Sequence, residues 1–371
     1  MNRRKFLGVT AGSIVIIGGA SYLLSDKHNF VRDNINVSAS DKSVLKPGER
    51  EILYLASLAP SGHNTQPWFI KYIEPYHWII CNDKSKWLPA VDPTQRETIL
   101  SIGAFVQNLE YAASNAGYNC QFNILASTNQ DENILDVKLT QADNAPAFNI
   151  VSIKNRRTVR SDYLNDLLKK EDAIYLFNEE PGFFNFIPNG AKEYGYLNQQ
   201  TIEANRIQSN RDAAEKELSE WIRFSGKEAE KYCDGLTTGS MEINGISGWI
   251  VRNFYNKGSV MKKDFRDKNI SNVIKQVSQS AGWLLITSKD NSVATLLETG
   301  KRMQRLFLKV RDKGIAIHPM TQILEEASVS QTINQSIGIT ENIQFTLRMG
   351  YLKNYPEPVS LRRPVDWFVR T

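Results

Sequence analysis

Apolar residues follow two different spacings along this chain, and the spacing changes at short turns rich in proline, glycine and asparagine. The run "EREILYLASL" places apolar side chains at helical intervals, whereas "WFIKYI" and "HWIICND" alternate apolar and polar positions. The two alternating runs flank Glu74, Pro75 and Tyr76, and this arrangement predicts a β-hairpin. Later, "GWLLITS" predicts a buried strand and "NIQFTLRMGY" a second one. Helices mixed with short strands predict an α+β fold with helices around sheets.

Two long amphipathic segments resemble each other without a gap. The first, "SIGAFVQNLEYAASNAGYN", begins at Ser101, and the second, "ETGKRMQRLFLKVRDKGIA", begins at Glu298. Both contain a glycine where a helix commonly ends, and both lead into a β pattern. Four identities at fixed offsets favour an internal repeat over chance. The identical pairs are Gly103 with Gly300, Gln107 with Gln304, Leu109 with Leu306, and Gly117 with Gly314.

The repeat predicts two related halves, residues 47–145 and 146–371, divided near "DNAPAFNI". A helix-rich stretch at about 201–253 has no counterpart in the first half, so we interpret it as an insertion. Within it, the glycine-rich "DGLTTGSMEINGISGWI" is expected to be either a lid over a binding site or a plain surface loop. Residues 25–46 lack periodicity and are interpreted as a linker.

The composition is that of a globular protein, with 371 residues of which 41% are apolar and 23% charged. A net charge of +5 is too small and too dispersed to indicate nucleic-acid binding. Cys81, Cys120 and Cys233 form no short spacing, and the four histidines show no pairing at i, i+4. We therefore expect neither a disulfide framework nor a metal site.

Basic and apolar residues are segregated at the N-terminus. The stretch "NRRKFLG" places Arg3 and Arg4 before Phe6 and Leu7, and residues 8–24 are uncharged and rich in apolar side chains. Residues 1–24 thus resemble a twin-arginine export signal. The alternatives are a short membrane anchor and an incidental basic start. We expect an exported protein, periplasmic or attached to the outer side of the cytoplasmic membrane, and leave open whether the signal is cleaved.

The turn "APSGHNTQPW", residues 59–68, concentrates backbone donors, acceptors and small polar side chains between a helix and a strand. It resembles the flavin-contacting turn of the nitroreductase family, P-S-x-x-N-x-Q-P-W. Three further segments match in family order. "NRRTVRSDY" resembles the R-R-S-x-R element, "GIAIHPMTQI" the turn that lies against the flavin, and "LRMGY" with "LRRP" the last strand and its basic pair. The resemblance covers most of the chain from Gly48 onward, apart from the insertion.

These motifs are divided between the two halves. The first half contains the NTQPW turn without an arginine element, and the second contains RRTVR, PMTQ and LRRP without such a turn. Ordinary members of the family are short chains that form dimers with sites shared across the interface. The division is similar to the double-length Acg-like branch of the family. It implies an intramolecular pseudo-dimer, and hence a monomer with one complete site for FMN.

The resemblance also implies which residues contact FMN. Guanidinium groups match phosphate oxygens in bidentate fashion, and Arg160 aligns with a cation that faces the pyrimidine edge of the flavin ring. On the residues alone, the alternative is a set of solvated surface arginines. The residues implied to hold the phosphate are Arg156, Arg157, Thr158, Arg362 and Arg363.

The isoalloxazine ring of FMN would lie between two turns. Backbone N–H groups of Thr321 or Gln322 would reach N5, the atom that accepts hydride. The alternative for the first turn is a loop that only caps a helix. The residues implied to contact the ring are Pro60, Ser61, Gly62 and Asn64 on one side, with Pro319, Met320 and Thr321 on the other.

Functions of three classes remain open at this point. The first is an exported FMN-dependent oxidoreductase of nitroreductase type, which passes electrons to a nitro compound, a quinone or a similar small acceptor. The second is a flavin-binding or sequestering protein with little turnover. The third is a structural duplicated domain whose flavin site has decayed. Free NAD(P)H is scarce outside the cytoplasm, and the sequence shows no fingerprint for a tightly held dinucleotide. A membrane quinol or a redox partner is therefore expected as the electron donor rather than free NAD(P)H.

Overall fold

The structure is a computed structural model that describes residue 26, residues 29–35 and residues 43–371. The predicted export signal lies outside these residues, as does part of the predicted linker. Linker residues that are described contact the folded body: the Arg32 guanidinium donates to the Lys154 carbonyl oxygen at 2.9 Å. Within the described part of the chain, no helix is both long and apolar enough to cross a membrane.

The first half begins with helix α1, Pro47–Ser57, which has a proline in its first turn. The Glu49 carboxylate accepts the Lys46 N–H at 2.8 Å, so a side chain from the first turn of the helix caps its N-terminus. After the 59–68 turn, strand β1, Trp68–Glu74, pairs antiparallel with strand β2, His77–Asn82. The predicted hairpin is confirmed.

The rest of the first half consists of a long helix and two further strands. Helix α2, Arg96–Asn115, is buried along most of its length. Strands β3, Tyr118–Ile124, and β4, Asn133–Gln141, pair antiparallel with each other, and β4 also pairs with β2. The sheet gains a fifth strand, because the last strand of the chain, Val369–Arg370, pairs parallel with β1. The end of the second half is therefore built into the first sheet.

The second half opens with helix α3, Ile150–Asn155, helix α4, Lys170–Phe177, and strand β5, Phe184–Pro188. A mainly helical region then separates β5 from the next strand of its sheet. The insertion predicted at about 201–253 lies within this longer region. Its elements are α5 Lys192–Asn210, α6 Asp212–Trp221, β6 Ile222–Arg223, α7 Gly226–Tyr232, β7 Leu236–Thr237, α8 Gly245–Phe254, α9 Lys257–Val260 and α10 Lys263–Val277.

The second sheet is antiparallel and has the strand order β5–β8–β10–β9. Every residue of β8 is buried, as its continuous apolar run predicts, and β10 also forms where the sequence predicts a strand. The remaining elements are β8 Gly282–Ser288, α11 Val293–Lys309, β9 Ile315–Pro319, α12 Gln322–Glu325, α13 Ala327–Ile337, β10 Asn342–Tyr351 and β11 Val369–Arg370.

Helices α2 and α11, which carry the repeated sequence, pack against each other in the centre of the molecule, and one apolar core includes residues of both halves. Their backbones meet at the two glycines that the repeat aligns. A Cβ on Gly103 would overlap the Leu297 carbonyl and lie 3.1 Å from the Gly300 Cα atom, and a Cβ on Gly300 would overlap the Leu100 carbonyl. The predicted α+β fold of two related halves is confirmed.

Replacing either of these glycines by alanine should destabilise the whole fold. For Gly103→Ala or Gly300→Ala we expect a loss of about 3 kcal/mol or more, because a methyl group would push the central helices apart. Gly195→Ala is the control. It lies in α5, has no neighbour within 4 Å of the added Cβ, and should gain about 0.5–1 kcal/mol from helix propensity. Denaturant unfolding of the three variants measures the difference. Equal stability of all three would show that the close helix contact is wrong.

Candidate functional site

A cavity of about 310 Å³, which we call the large cavity, is bounded by both halves and by the helical region. Predicted site residues that line it are Pro60, Ser61, Gly62, Thr158, Arg160, Pro319 and Thr321. The cavity therefore combines the 59–68 turn of the first half with the arginine element and the proline turn of the second half. A volume of this size is that of a small-molecule site.

The 59–68 turn has an unusual backbone. His63, Asn64 and Gln66 have φ angles of 47°, 55° and 54°, in the left-handed region that residues with a Cβ seldom adopt. Such a conformation persists only where surrounding contacts impose it, and it is concentrated at functional sites. One of those contacts lies inside the turn, since the Gln66 N–H donates to the Ser61 hydroxyl at 2.9 Å.

Two other segments hold the turn from outside. The Asn64 amide donates to the carbonyl oxygens of Gly235 and Leu361, both at 3.1 Å. The Gln66 amide donates to the Cys233 carbonyl at 3.0 Å, and its oxygen accepts the Arg363 N–H at 2.9 Å. Asn64 is thus buried where the turn, the insertion and the C-terminal segment meet. Its side chain does not line the cavity.

The arginine element follows α3 and is covered by the glycine-rich part of the insertion. Thr158 and Arg160 lie in the cavity wall, and the Arg160 guanidinium donates to the Ser240 carbonyl at 2.7 Å. Arg157 instead forms an ion pair of 3.3 Å with Glu242. The same carboxylate accepts the Arg160 backbone N–H at 3.0 Å. The insertion is therefore hydrogen-bonded to the site, although the sequence left open whether this stretch is a lid or a plain loop.

A second, smaller cavity of about 130 Å³ is lined by Arg32, Asp33, Ile35, Tyr54, Arg362, Arg363 and Pro364; we call it the basic recess. Arg156 lies at the same place, because its Nε and the Arg362 Nη2 both donate to the Leu58 carbonyl, at 3.3 and 3.1 Å. Leu58 is two residues from Pro60, which lines the large cavity. The basic recess and the large cavity are thus separated by one short stretch of backbone.

Arg156 and Arg362 at the basic recess are buried, and among the described residues neither forms an ion pair, whereas the partly buried Arg32 lies 3.9 Å from Asp33 in the recess wall. In the part of the chain that the structure describes, Arg156 Nη1 and Arg362 Nε are buried and have no hydrogen-bond partner. Burial, with Arg32 adding repulsion, lowers the pKa of Arg156 to about 10; burial, Arg156 and Arg32 lower the pKa of Arg362 well below its usual value. Free guanidinium donors around a small recess fit a phosphate group.

Two predicted residues have other contacts. The Arg363 guanidinium donates to the carbonyl oxygens of Gln66, at 2.5 Å, and Trp68, at 2.7 Å, so it secures the exit of the turn as well as lining the basic recess. Met320 is buried in the core of the second half, where its carbonyl accepts the Thr346 hydroxyl at 2.6 Å. Met320 does not line the large cavity.

The remaining walls come from residues that the sequence did not single out for the site. Glu97 and Ser101 project from the first turns of α2, and Glu325 from α12. The insertion contributes Gln208, Leu218 and Leu236, α10 contributes Asn269, and the apolar residues Met303 and Phe345 complete the lining. A carboxylate in the first turn of a helix usually has only a helix-end role, so no local signal marks Glu97.

Burial shifts the ionisation of the groups around the cavity. The pKa of His63 falls to about 4 because of burial and the nearby Arg160, and the pKa of His318 is well below its usual value because of burial, Arg348 and Arg160. Both histidines are therefore neutral at pH 7. Burial and the neighbouring Glu325 raise the pKa of Glu97 to about 7. The wall thus includes a carboxyl group that exchanges its proton near neutral pH.

Glu325 is held beside Glu97 by polar neighbours. Its carboxylate accepts the Thr321 hydroxyl at 2.8 Å and the Gln208 amide at 2.6 Å, while Glu97 accepts from the Arg96 guanidinium at 3.1 Å. Burial also raises the pKa of Glu325. Two carboxyl groups close together in a dry cavity cannot both ionise cheaply, so the pair retains a proton in the neutral range.

The chain is similar in sequence to curated proteins. No protein-family model matches the chain. It is 24% identical over 330 residues to a Mycobacterium tuberculosis protein named NAD(P)H nitroreductase acg, with 85% of this chain and 93% of that one covered. It is 22% identical over 317 residues to PigM of Serratia sp., also named an NAD(P)H nitroreductase, with 80% and 86% covered. The similarity to both relatives extends over the two halves of the chain.

Solved structures give a more distant likeness. The FMN-dependent nitroreductase NfnB of Mycobacterium smegmatis aligns with 15% identity and a TM-score of 0.33, over 59% of this chain and 96% of its own. A nitroreductase structure from Anabaena variabilis aligns with 10% identity and a TM-score of 0.35, over 84% and 90% of the two chains.

The raised pKa of Glu97 predicts a pH-dependent stability. The folded protein binds this proton more tightly than the unfolded chain does, so the contribution of Glu97 is most favourable below about pH 4.5 and is lost as the pH rises to about 7. Glu97→Gln should remove this slope. The free energy of unfolding of the variant, relative to that of the wild type, should be roughly 2–3 kcal/mol higher at pH 8 than at pH 5. Denaturant unfolding at both pH values is the measurement, with the exposed Glu171→Gln as control. Parallel pH profiles for wild type and Glu97→Gln would contradict the assignment.

Proposed function

We propose that this protein binds one FMN per chain and is an oxidoreductase of nitroreductase type that acts on a small electron acceptor, such as a nitro compound or a quinone. One observation carries the proposal. The large cavity is bounded by the turn of the first half and the proline turn of the second, and it is separated by a short stretch of backbone from buried arginines that lack a counter-ion. The names of the curated relatives favour the same class.

The residues present fit FMN at both of its ends. The phosphate would take the free donors of Arg156 and Arg362, with Arg32 as a third cation that was not expected from the sequence. An anion there would offset the repulsion among these guanidinium groups. The flat ring system would occupy the large cavity, with Pro60 and Pro319 in its walls. FMN, when bound, supplies the two-electron redox chemistry.

The side chains of the cavity would orient and neutralise what binds there. Arg160 lines the wall, and its positive charge favours a ring edge that becomes negative on reduction. The neutral His63 and His318 add no competing charge at pH 7. Glu97 and Glu325 hold a proton at the cavity wall, where it is available to an acceptor that gains negative charge.

Only one complete site can be assembled, because the motifs are divided between the halves. The interface that short nitroreductases form between two chains is here replaced by the packing of α2 on α11 within one chain. A monomer with a single FMN follows from this division.

A second function of another class is favoured by the insertion. Ser240 and Glu242 are bonded to Arg160 and Arg157, and Leu236 forms part of the cavity wall, so the insertion covers one side of the site. A flavin held under this cover would react slowly with molecules from solution. Such a protein would bind or sequester flavin with little turnover.

Calorimetric titration of flavin-free protein with FMN and with riboflavin tests the cofactor proposal. FMN should bind with a stoichiometry of one per chain. Arg156→Ala should weaken FMN binding about 10- to 100-fold, because it removes a charge-assisted bond to phosphate worth roughly 1.5–3 kcal/mol. Riboflavin, which has no phosphate, should bind the variant and the wild type alike.

The control is Arg206→Ala, since this arginine on α5 is paired only with Glu203 at the surface. Two flavins per chain would contradict the single-site proposal. Equal FMN affinity of Arg156→Ala and wild type would remove the basic recess as the phosphate site.

We also propose that the protein works outside the cytoplasm and takes electrons from a membrane quinol or a redox partner. The twin-arginine resemblance of residues 1–24 supports this, because such signals are typical of proteins exported after folding with their cofactor. Arg3→Lys with Arg4→Lys should retain the protein in the cytoplasm, as cell fractionation would show. Stopped-flow mixing of the flavin-loaded protein with NADPH should show slow bleaching of the flavin absorbance. Fast bleaching followed by rapid nitroarene reduction would identify an ordinary NAD(P)H nitroreductase instead.

A further inference from the structure

Helix α8 in the insertion has apolar side chains on two opposite sides. Its inner side packs on the protein: Gly248 is buried, and Val251 packs against a small core formed by Ile222, Phe224 and Val260. A helix on the surface of a soluble domain normally turns polar residues outward once one side is buried. Helix α8 does not follow this rule.

The outer side of α8 exposes large apolar side chains. Ile246, Ile250 and Phe254 are 79%, 39% and 62% exposed, and their i, i+4, i+8 spacing aligns them in one row along the helix. The ring of Trp249 contacts that of Phe254 edge to face, with 5.4 Å between centroids. Exposed Tyr255 extends the row. A contiguous apolar surface of this kind marks a contact with a partner or a membrane. We call Ile246, Ile250, Phe254 and Tyr255 the α8 face.

The N-terminal part of the chain enters the described fold directly beside this helix. The Asp26 N–H donates to the Asn253 side chain at 2.9 Å, and its carbonyl accepts from Arg252 and Asn253, each at 3.3 Å. The uncharged, apolar stretch 8–24 ends two residues before Asp26. Asp26, the first described residue after this stretch, is therefore hydrogen-bonded to α8 itself.

The charge of the neighbouring sequence limits what the α8 face can contact. Residues 245–268 contain six basic and two acidic residues. Arg252, Lys257, Lys263 and Arg266 are paired with acidic side chains, namely Asp26, Glu220, Asp267 and Asp212. Lys262 and Lys268 are exposed within this stretch. Aromatic and branched apolar side chains beside exposed lysines are typical of surfaces that lie in the headgroup region of an anionic bilayer.

We propose that the α8 face is a membrane-docking surface that lies flat in the outer part of a lipid bilayer, beside the N-terminal apolar stretch. With ten residues, α8 is too short to cross a bilayer, so it would lie parallel to the membrane plane. The α8 face and the N-terminal apolar stretch would both contact the bilayer, and Asp26 lies at the point where they meet. Two contacts with the bilayer would fix the orientation of the protein on the membrane. This inference does not depend on the proposed flavin chemistry.

Spin labelling of the full-length chain tests this surface. A nitroxide is attached at Ile250→Cys in a Cys120→Ser background, since Cys81 and Cys233 are buried. The control label is at Ile174→Cys on α4, a side chain that is 54% exposed. With vesicles of phosphatidylglycerol and phosphatidylethanolamine, the label at 250 should become more accessible to oxygen and less accessible to a water-soluble nickel complex. The label at 174 should not change.

Three other results would overturn the proposal. A label at 250 that stays accessible to the nickel complex on vesicle-bound protein would mean that the N-terminal stretch binds alone. A label already shielded without vesicles would mean that the chain covers the α8 face itself. Shielding without vesicles that increases with protein concentration would identify a second copy as the partner.

Binding strength gives an independent measurement. The triple variant Ile246→Ser, Ile250→Ser and Phe254→Ser should lower the vesicle partition coefficient of the full-length chain at least about tenfold. The matched control replaces exposed apolar residues on other elements, Ile73→Ser, Ile124→Ser and Ile174→Ser, and should partition like the wild type. Equal partitioning of the two triple variants would overturn the proposal. Unchanged thermal unfolding of both variants without vesicles confirms that they fold.

Discussion

The contact between the backbones of α2 and α11 at Gly103 and Gly300 is the constraint on which the rest of the structure depends. Side chains of any size there would separate the helices, and the core shared by both halves would open. The same two helices contribute to the cavity, with Glu97 and Ser101 from α2 and Met303 from α11. The position of the site relative to each half is therefore set by helix packing and not by the loops that line it.

The buried arginines show how the site differs from an ordinary structural ion network. The buried Arg223 has a carboxylate partner, Asp234, at 2.5 Å, whereas the buried Arg348 donates to the backbone carbonyl oxygens of Gln279 and Arg160. Among the described residues, Arg156 and Arg362 donate to backbone and amide oxygens, and burial together with the neighbouring arginines lowers their pKa values. Keeping unpaired guanidinium groups in a dry recess destabilises the fold. An anionic ligand that binds there would remove this destabilisation.

The sequence predicted the elements whose signals are local. The hairpin at Glu74–Tyr76, the buried strand β8 and the glycine pair of the repeat all follow from periodicity or identity within one segment. The proximity of Glu97 and Glu325 could not be predicted, because it depends on how two distant helices meet. Arg32 was missed for the same reason: its linker sequence has no pattern, and only the fold brings it to the basic recess. Asn64 matched a motif, yet its hydrogen bonds to the insertion were not visible in that motif.

The insertion contributes to three parts of the molecule: the wall of the large cavity, the support of the 59–68 turn, and an exposed apolar surface. Its Leu236 lines the cavity, its Gly235 carbonyl holds the strained turn through Asn64, and its helix α8 carries the exposed apolar row. Fewer than twenty residues separate Gly235 from Phe254, so a displacement of α8 relative to the core would pull on the bonds that keep the turn in its left-handed conformation. Bonds to Ser61, Leu361 and Arg363 hold the same conformation from within the turn and from the C-terminal segment. The insertion is therefore one of three parts of the chain that together set the backbone of the turn at the cavity wall.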